Sequence, residues 1–183
     1  MSGVSVSVKP NKLTVPEALR LANHDFLNRL QMIMMYNELG KQEQCQAYIT
    51  KAVNEMQVVS AVNRAGTPVL AEWLLTVGWR YNEFAVALTS TVTGTATVAE
   101  TAIVAYVEAC IAAIAKQVDV YCEQYITLDY TVEPANVALA MRVTGQWQTP
   151  IQLTEKNERF TVNIKKSTTT VVDLCITAKQ GVK

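Results

Sequence analysis

Gly40 most constrains what this chain can fold into, because it separates two helix-length amphipathic segments and leaves only a few residues to join them. Upstream, Thr14 fits a helix N-cap, Glu17 completes a capping box three residues on, and Pro16 sits in the first turn, where its missing N–H costs nothing. That helix is expected to run to about Leu39 and stop at Gly40, a left-handed C-terminal position. A second helix is expected from about Gln42 to about Asn63, ended by Gly66-Thr67-Pro68. Its apolar positions Cys45, Ile49, Ala52, Met56 and Val59 step by four, three, four, three, which is a heptad seam. With so short a turn the helices must fold back as an antiparallel hairpin. Such a hairpin cannot bury its seam alone. The seam packs either on the chain's own C-terminal half or on a second copy, and bundle packing favours the second copy: a homodimeric four-helix bundle.

The segments after Pro68 have a different character. Leu70 to Tyr81, with Trp73 and Trp79, reads as a short helix, and Phe84 to Thr91 alternates like a strand. Val98 to Tyr121 reads as a long Ala-rich helix with Thr97 as cap and Glu100 three residues later. Tyr125 to Val132, Val137 to Val143, Phe160 to Ile164 and Thr170 to Thr177 read as strands of a mostly antiparallel sheet. Helices and strands segregate, so the fold class is α+β, with helices on one face of the sheet. The expected organisation is a tail over 1–13, a helical hairpin over 14–66 and an α+β domain over 67–183.

Composition narrows the function classes. Lys+Arg and Asp+Glu both number 16 among 183 residues. A zero net charge argues against nucleic acid as the main partner and permits self-association. Cys45, Cys110, Cys122 and Cys175 form no Cys-x-x-Cys pair, and a single histidine supplies no zinc spacing, so no metal site is expected. Three of the four cysteines lie in apolar surroundings and read as buried thiols, which fits a reducing cytoplasm. Residues 1–12 have no apolar core and read as a loose tail, not a signal peptide. Ala96 to Val120 is interrupted by Glu100, Glu108, Lys116 and Asp119, so it reads as a packed helix and no membrane association is expected.

The only histidine, His24, lies in the first helix within Asn23-His24-Asp25-Phe26-Leu27-Asn28-Arg29-Leu30-Gln31. Val15, Leu19, Ala22, Phe26, Leu30 and Ile33 fall within roughly 80° of one another and form the stripe facing the bundle core; His24 lies roughly 160° from Phe26 and should be exposed. Asn28, four residues on, shares its surface. Asp25 points roughly 100° away and reaches the imidazole only in a suitable rotamer. A neutral imidazole is a nucleophile, and its protonation changes near neutral pH.

The string from His24 to Gln31 resembles the phospho-accepting helix of the sporulation initiation phosphotransferase B family. It is also similar to citrate- and fumarate-type sensor histidine kinases, which carry a His-Asp-x-x-Asn-x-Leu pattern there. The resemblance covers about Ala18 to Trp79 and is architectural beyond. It implies a dimeric four-helix bundle displaying two histidines, and a C-terminal half that is a degenerate kinase ATPase domain. It further implies phosphoryl transfer between the aspartates of two response-regulator receiver domains through a phosphohistidine on His24. Asp25 and Asn28 would then be the catalytic companions, Asp25 holding the tautomer and Asn28 orienting the ring or contacting phosphate. Leu27, Arg29, Gln31 and Met35 would contact the receiver, with Arg29 alternatively forming a surface ion pair. No cofactor is expected on this chain, and Mg²⁺ would come with the receiver. A kinase ATP site needs an Asn-bearing helix, an adenine-reading Asp and Gly-x-Gly loops. The helix from Thr97 to Tyr121 has no Asn, no two glycines form Gly-x-Gly, and Asp129 and Asp173 fall in strands. A non-catalytic dimeric adaptor and an ATP-dependent sensor-kinase fragment remain the alternatives.

Overall fold

A computed structural model describes residues 13–119, 121–153 and 158–181, so the expected tail over 1–12 lies outside the described residues. The chain divides into two compact units. One comprises residues 12–60, and the other contains everything from Ala61 onward.

In the first unit α1 spans Val15–Glu38 and α2 begins at Gln42 and runs to Arg64. The start of α1 is as local chemistry requires. Glu17 N–H donates to Thr14 Oγ1 at 3.4 Å and Thr14 N–H donates to Glu17 Oε2 at 2.8 Å, so two orphan donors are satisfied reciprocally. The bond from the Thr14 hydroxyl, followed by that from its backbone N–H, holds the Glu17 carboxyl below its usual range. At the other end Gly40 takes φ 64°. Lys41 N–H reaches Tyr36 C=O at 2.9 Å and Gly40 N–H reaches Asn37 C=O at 3.0 Å, a Schellman closure. Three contacts clamp the hairpin: the Tyr36 and Tyr48 rings, 6.0 Å apart; Arg29 Nη2 to Glu55 Oε2, 2.8 Å; and the Cys45 thiol against Ile33 C=O, 3.8 Å.

In the second unit α3 (Pro68–Arg80), β1 (Ala85–Val92), α4 (Glu100–Ala115), β2 (Tyr125–Val132), β3 (Asn136–Thr144), β4 (Thr161–Ser167) and β5 (Val171–Lys179) follow in order. They build an α+β unit around a five-stranded mixed sheet ordered β1-β2-β3-β5-β4. The β1–β2 pair is parallel, joined through α4, and the other three pairs are antiparallel. Period-two alternation puts Ile126, Leu128 and Tyr130 of β2, Leu139 and Met141 of β3 and Leu174 of β5 into one core with Leu70 and Trp73 of α3 and Ile103, Ile111 and Ile114 of α4. Thr127, Asp129, Arg142 and Thr177 alternate onto the other, open face.

Two expectations for α4 are corrected. Its N-cap is Ala99, with no side-chain cap, so Thr97 and Glu100 form no capping box. The Glu100 carboxylate instead accepts the Leu70 N–H at 2.9 Å and caps α3, satisfying one of that helix's orphan donors. The helix also ends at Ala115, short of Tyr121. Beyond it Val118 forms a bridge with Trp147, and the buried Gln124 donates to the carbonyls of Asp119 and Cys122. Of the four thiols only Cys45 and Cys110 are buried. Cys175 is half-exposed because it falls on the outer register of β5.

Candidate functional site

His24 projects from α1 with 68% of its side chain exposed, as expected of a residue opposite Phe26. The ring meets two neighbours, both at Nδ1. Asp25 Oδ1 lies 3.4 Å from it and Asn28 Nδ2 lies 3.3 Å from it. The helix itself brings these groups together. Asn28 is one turn on and stacks over the histidine, while Asp25 reaches sideways by its rotamer. No described residue bonds Nε2. The tautomer with hydrogen on Nδ1 donates to Asp25 and leaves the Nε2 lone pair facing solvent; the other tautomer accepts from the Asn28 amide. An exposed imidazole nitrogen with its far nitrogen held by a carboxylate can act as a nucleophile. The carboxylate then balances the positive charge that appears on the ring.

Leu27, Gln31 and Met35 lie three, seven and eleven residues after His24, on the same side of α1, and all three are exposed. Arg29 is placed elsewhere. Its guanidinium is engaged by Glu55 of α2, so it stiffens the hairpin flank and does not point at His24. Among the described residues no group of three or more His, Cys, Asp or Glu side chains could hold a metal ion.

The stripe expected to face a bundle core is not covered. Val15, Leu19, Phe26 and Leu30 are exposed, Leu19 at 59% and Phe26 at 52%, and α1 has no buried residue. On α2, Cys45 is buried, but Met56 and Val59 are exposed at the other end of the seam.

Asp129 and Asp173 alternate onto the outer face of the sheet, away from α4, and Asp173 pairs with Arg142 at 3.8 Å. What sequence reasoning missed is Glu108. Its carboxylate, on α4, accepts the Trp73 indole N–H at 2.6 Å and the Tyr81 hydroxyl at 2.6 Å, and Arg80 Nη1 lies 3.6 Å away. The one available signal was a lone acid inside an apolar helix, opposite a helix ending in Trp-Arg-Tyr.

Comparison with known proteins gives one family match. Residues 10–65 match the model of the sensor kinase, SpoOB-type, alpha-helical domain. None of the curated proteins matches the chain. Among solved structures, the histidine kinase AdeS of Acinetobacter baumannii shares 13% identity over 89% of this chain and 97% of its own, with a TM-score of 0.45. A histidine kinase from Burkholderia phymatum shares 11% over 92% of this chain and 99% of its own, with a TM-score of 0.43. The histidine kinase ThkA, in complex with the response regulator protein TrrA, shares 10% over 90% of this chain and 61% of its own, with a TM-score of 0.41.

Proposed function

We propose, from the match of residues 10–65 to the model of the sensor kinase, SpoOB-type, alpha-helical domain, that this protein is a phosphorelay histidine phosphotransferase. It moves a phosphoryl group between the aspartates of two response-regulator receiver domains through His24. The observation that carries this reading is the His24 ring itself: exposed on mid-helix, engaged at Nδ1 by Asp25 and Asn28, and unbonded at Nε2 among the described residues.

In the proposed reaction the Nε2 lone pair attacks the phosphorus of an aspartyl phosphate in line. The N–P bond forms as the P–O bond breaks, and the aspartate leaves as carboxylate. The ring becomes cationic, and the proton on Nδ1 is shared with Asp25, which stabilises that charge. The reverse step delivers the group to a second receiver. Little covalent chemistry falls to this chain, which positions a nucleophile and offers a docking face of Leu27, Gln31 and Met35. Mg²⁺ and its ligands belong to the receiver. Two hairpins pair through the uncovered stripe of Leu19, Phe26 and Leu30 into a four-helix bundle, which supports a homodimer with two phosphoacceptors. No helix of the described residues is long and apolar enough to cross a membrane.

The test is transfer of labelled phosphate from a phosphorylated receiver to the purified protein beside its His24→Gln variant. An acid-labile, alkali-stable label on the wild type alone is expected. Receiver binding without label would establish an adaptor, and label taken only from ATP would establish a kinase.

A further inference from the structure

The helix α1 carries two cations, Arg20 and Arg29, in different surroundings. Arg29 is half-buried, and its Nη2 lies 2.8 Å from Glu55 Oε2 on α2. Arg20 is exposed. The carboxylate nearest to it in sequence, Glu17, is already committed to the helix cap: its Oε2 accepts from the Thr14 N–H at 2.8 Å and from the Thr14 hydroxyl at 2.7 Å. The Glu17 carboxyl is held low first by that hydroxyl and last by the charge of Arg20, an attraction through space. Among the described residues no hydrogen bond or ion pair engages the Arg20 guanidinium.

Arg20 lies four residues before His24, one turn toward the N-terminus on the same face of α1. Helix side chains lean toward the N-terminus, so the imidazole extends over the turn that holds Arg20. The ring is bracketed, with Arg20 on its N-terminal side and Asn28 on its C-terminal side. Asn28 engages Nδ1, the nitrogen that does not react, at 3.3 Å. A phosphoryl group on Nε2 carries about two negative charges. The Asp25 carboxylate, 3.4 Å from Nδ1, serves the ring but repels that group. The site therefore needs a cation. Cβ atoms one turn apart lie about 6 Å from each other, a span the Arg side chain covers, and the guanidinium fork matches two phosphoryl oxygens. We propose that Arg20 is the phosphate-binding residue of this site. Its guanidinium donates to the phosphoryl oxygens while the group is on His24 and as it passes to or from a receiver aspartate. This rests on the proposed phosphotransfer through His24.

The experiment compares the full chain with Arg20→Ala and Arg20→Lys, each loaded at His24 with phosphoramidate. In loading, the bond from phosphorus to Nε2 forms as the P–N bond of phosphoramidate breaks and ammonia leaves. The ³¹P resonance of the loaded protein is followed against pH, and single-turnover transfer to an unphosphorylated receiver is timed. In Arg20→Ala the pH midpoint of the phosphoryl group is expected to rise by about half a unit, because a nearby cation favours the dianion. Transfer is expected to slow about tenfold. Arg20→Lys keeps the charge and loses the fork, so it should hold the midpoint and recover only part of the rate. A role confined to the Glu17 cap would move neither reading, and an unmoved midpoint with an unchanged rate in Arg20→Ala overturns the assignment. A wild type that exchanges no phosphoryl group with any receiver overturns the phosphotransfer reading, and the assignment with it.

Discussion

Asn28 Nδ2 lies 3.3 Å from His24 Nδ1, and Asp25 Oδ1 lies 3.4 Å from the same nitrogen. Two side chains thus compete for one face of the ring, and the carboxylate favours the tautomer whose Nε2 is nucleophilic. Asp25→Ala is expected to slow phosphoryl transfer on the order of 10²-fold without abolishing it, and Asn28→Ala to slow it less. Single-turnover transfer from a phosphorylated receiver measures both; an unchanged rate in Asp25→Ala would remove its assigned role. Unfolding free energy should stay within about 0.5 kcal/mol, since the site is exposed.

Leu19 and Phe26 are more than half exposed in the single chain. If a second hairpin covers them, Leu19→Glu combined with Phe26→Glu places four charges in one bundle core, and the protein becomes monomeric. Sedimentation equilibrium reads this directly. A wild type that is already monomeric at high concentration contradicts the dimer.

Glu108 accepts from Trp73 and Tyr81 and lies beside Arg80, whose side chain is only 15% exposed. Glu108→Ala leaves an indole N–H and a phenol short of their acceptor, while Arg80 keeps Glu72 at 3.0 Å, and is expected to cost about 2–4 kcal/mol. Urea denaturation of the variant followed by tryptophan fluorescence checks it. A loss below about 1 kcal/mol would mean that water replaces the carboxylate freely.

The second unit should lose stability in alkali. Burial pushes the Cys110 thiol up from 9.0 to about 11, and burial likewise raises the Tyr81 and Tyr130 phenols above their usual 10.0. These groups stay protonated in the folded state while the unfolded chain releases its protons. Their stabilisation is therefore full below pH 9.0 and falls as pH rises towards 11. Roughly 2 kcal/mol should be lost through Cys110 alone across that window. Thermal melts at pH 8 and pH 10.5 measure the drop, and Cys110→Ala should flatten part of it.

Gly145 leaves room for Gln124, whose Oε1 would overlap a methyl placed there. That amide accepts from Gln146 N–H at 3.3 Å and donates to Asp119 C=O at 3.0 Å, holding the residues before β2 against the end of β3. Gly145→Ala displaces it and is expected to cost about 2 kcal/mol, since buried amide groups lose their partners. The second change Gln124→Ala should cost little more once Gly145 is replaced. Urea titration of the single and double variants tests this; fully additive losses would show that the two residues act separately.

What the sequence determined by itself is whatever rests on contacts within a turn or two. Thr14, Glu17, Pro16 and Gly40 set both ends of α1, because capping groups act over three to five residues. Alternation located β2 and β3 to within a residue, because one face of each is buried. The closeness of His24 to Asn28 follows from helical spacing alone. Only the tertiary structure decided where long-range partners spend the same residue types. Glu100 looked like the second half of a capping box, but the Leu70 N–H, thirty residues away in sequence, takes its carboxylate. Arg29 could contact a partner or form a surface ion pair, and Glu55 of the opposite helix selects the ion pair. Glu108 looked like an interruption of an apolar run, yet it anchors the end of α3. A charged side chain follows the strongest partner that folding brings within reach, and that partner's position in the sequence leaves no periodic trace.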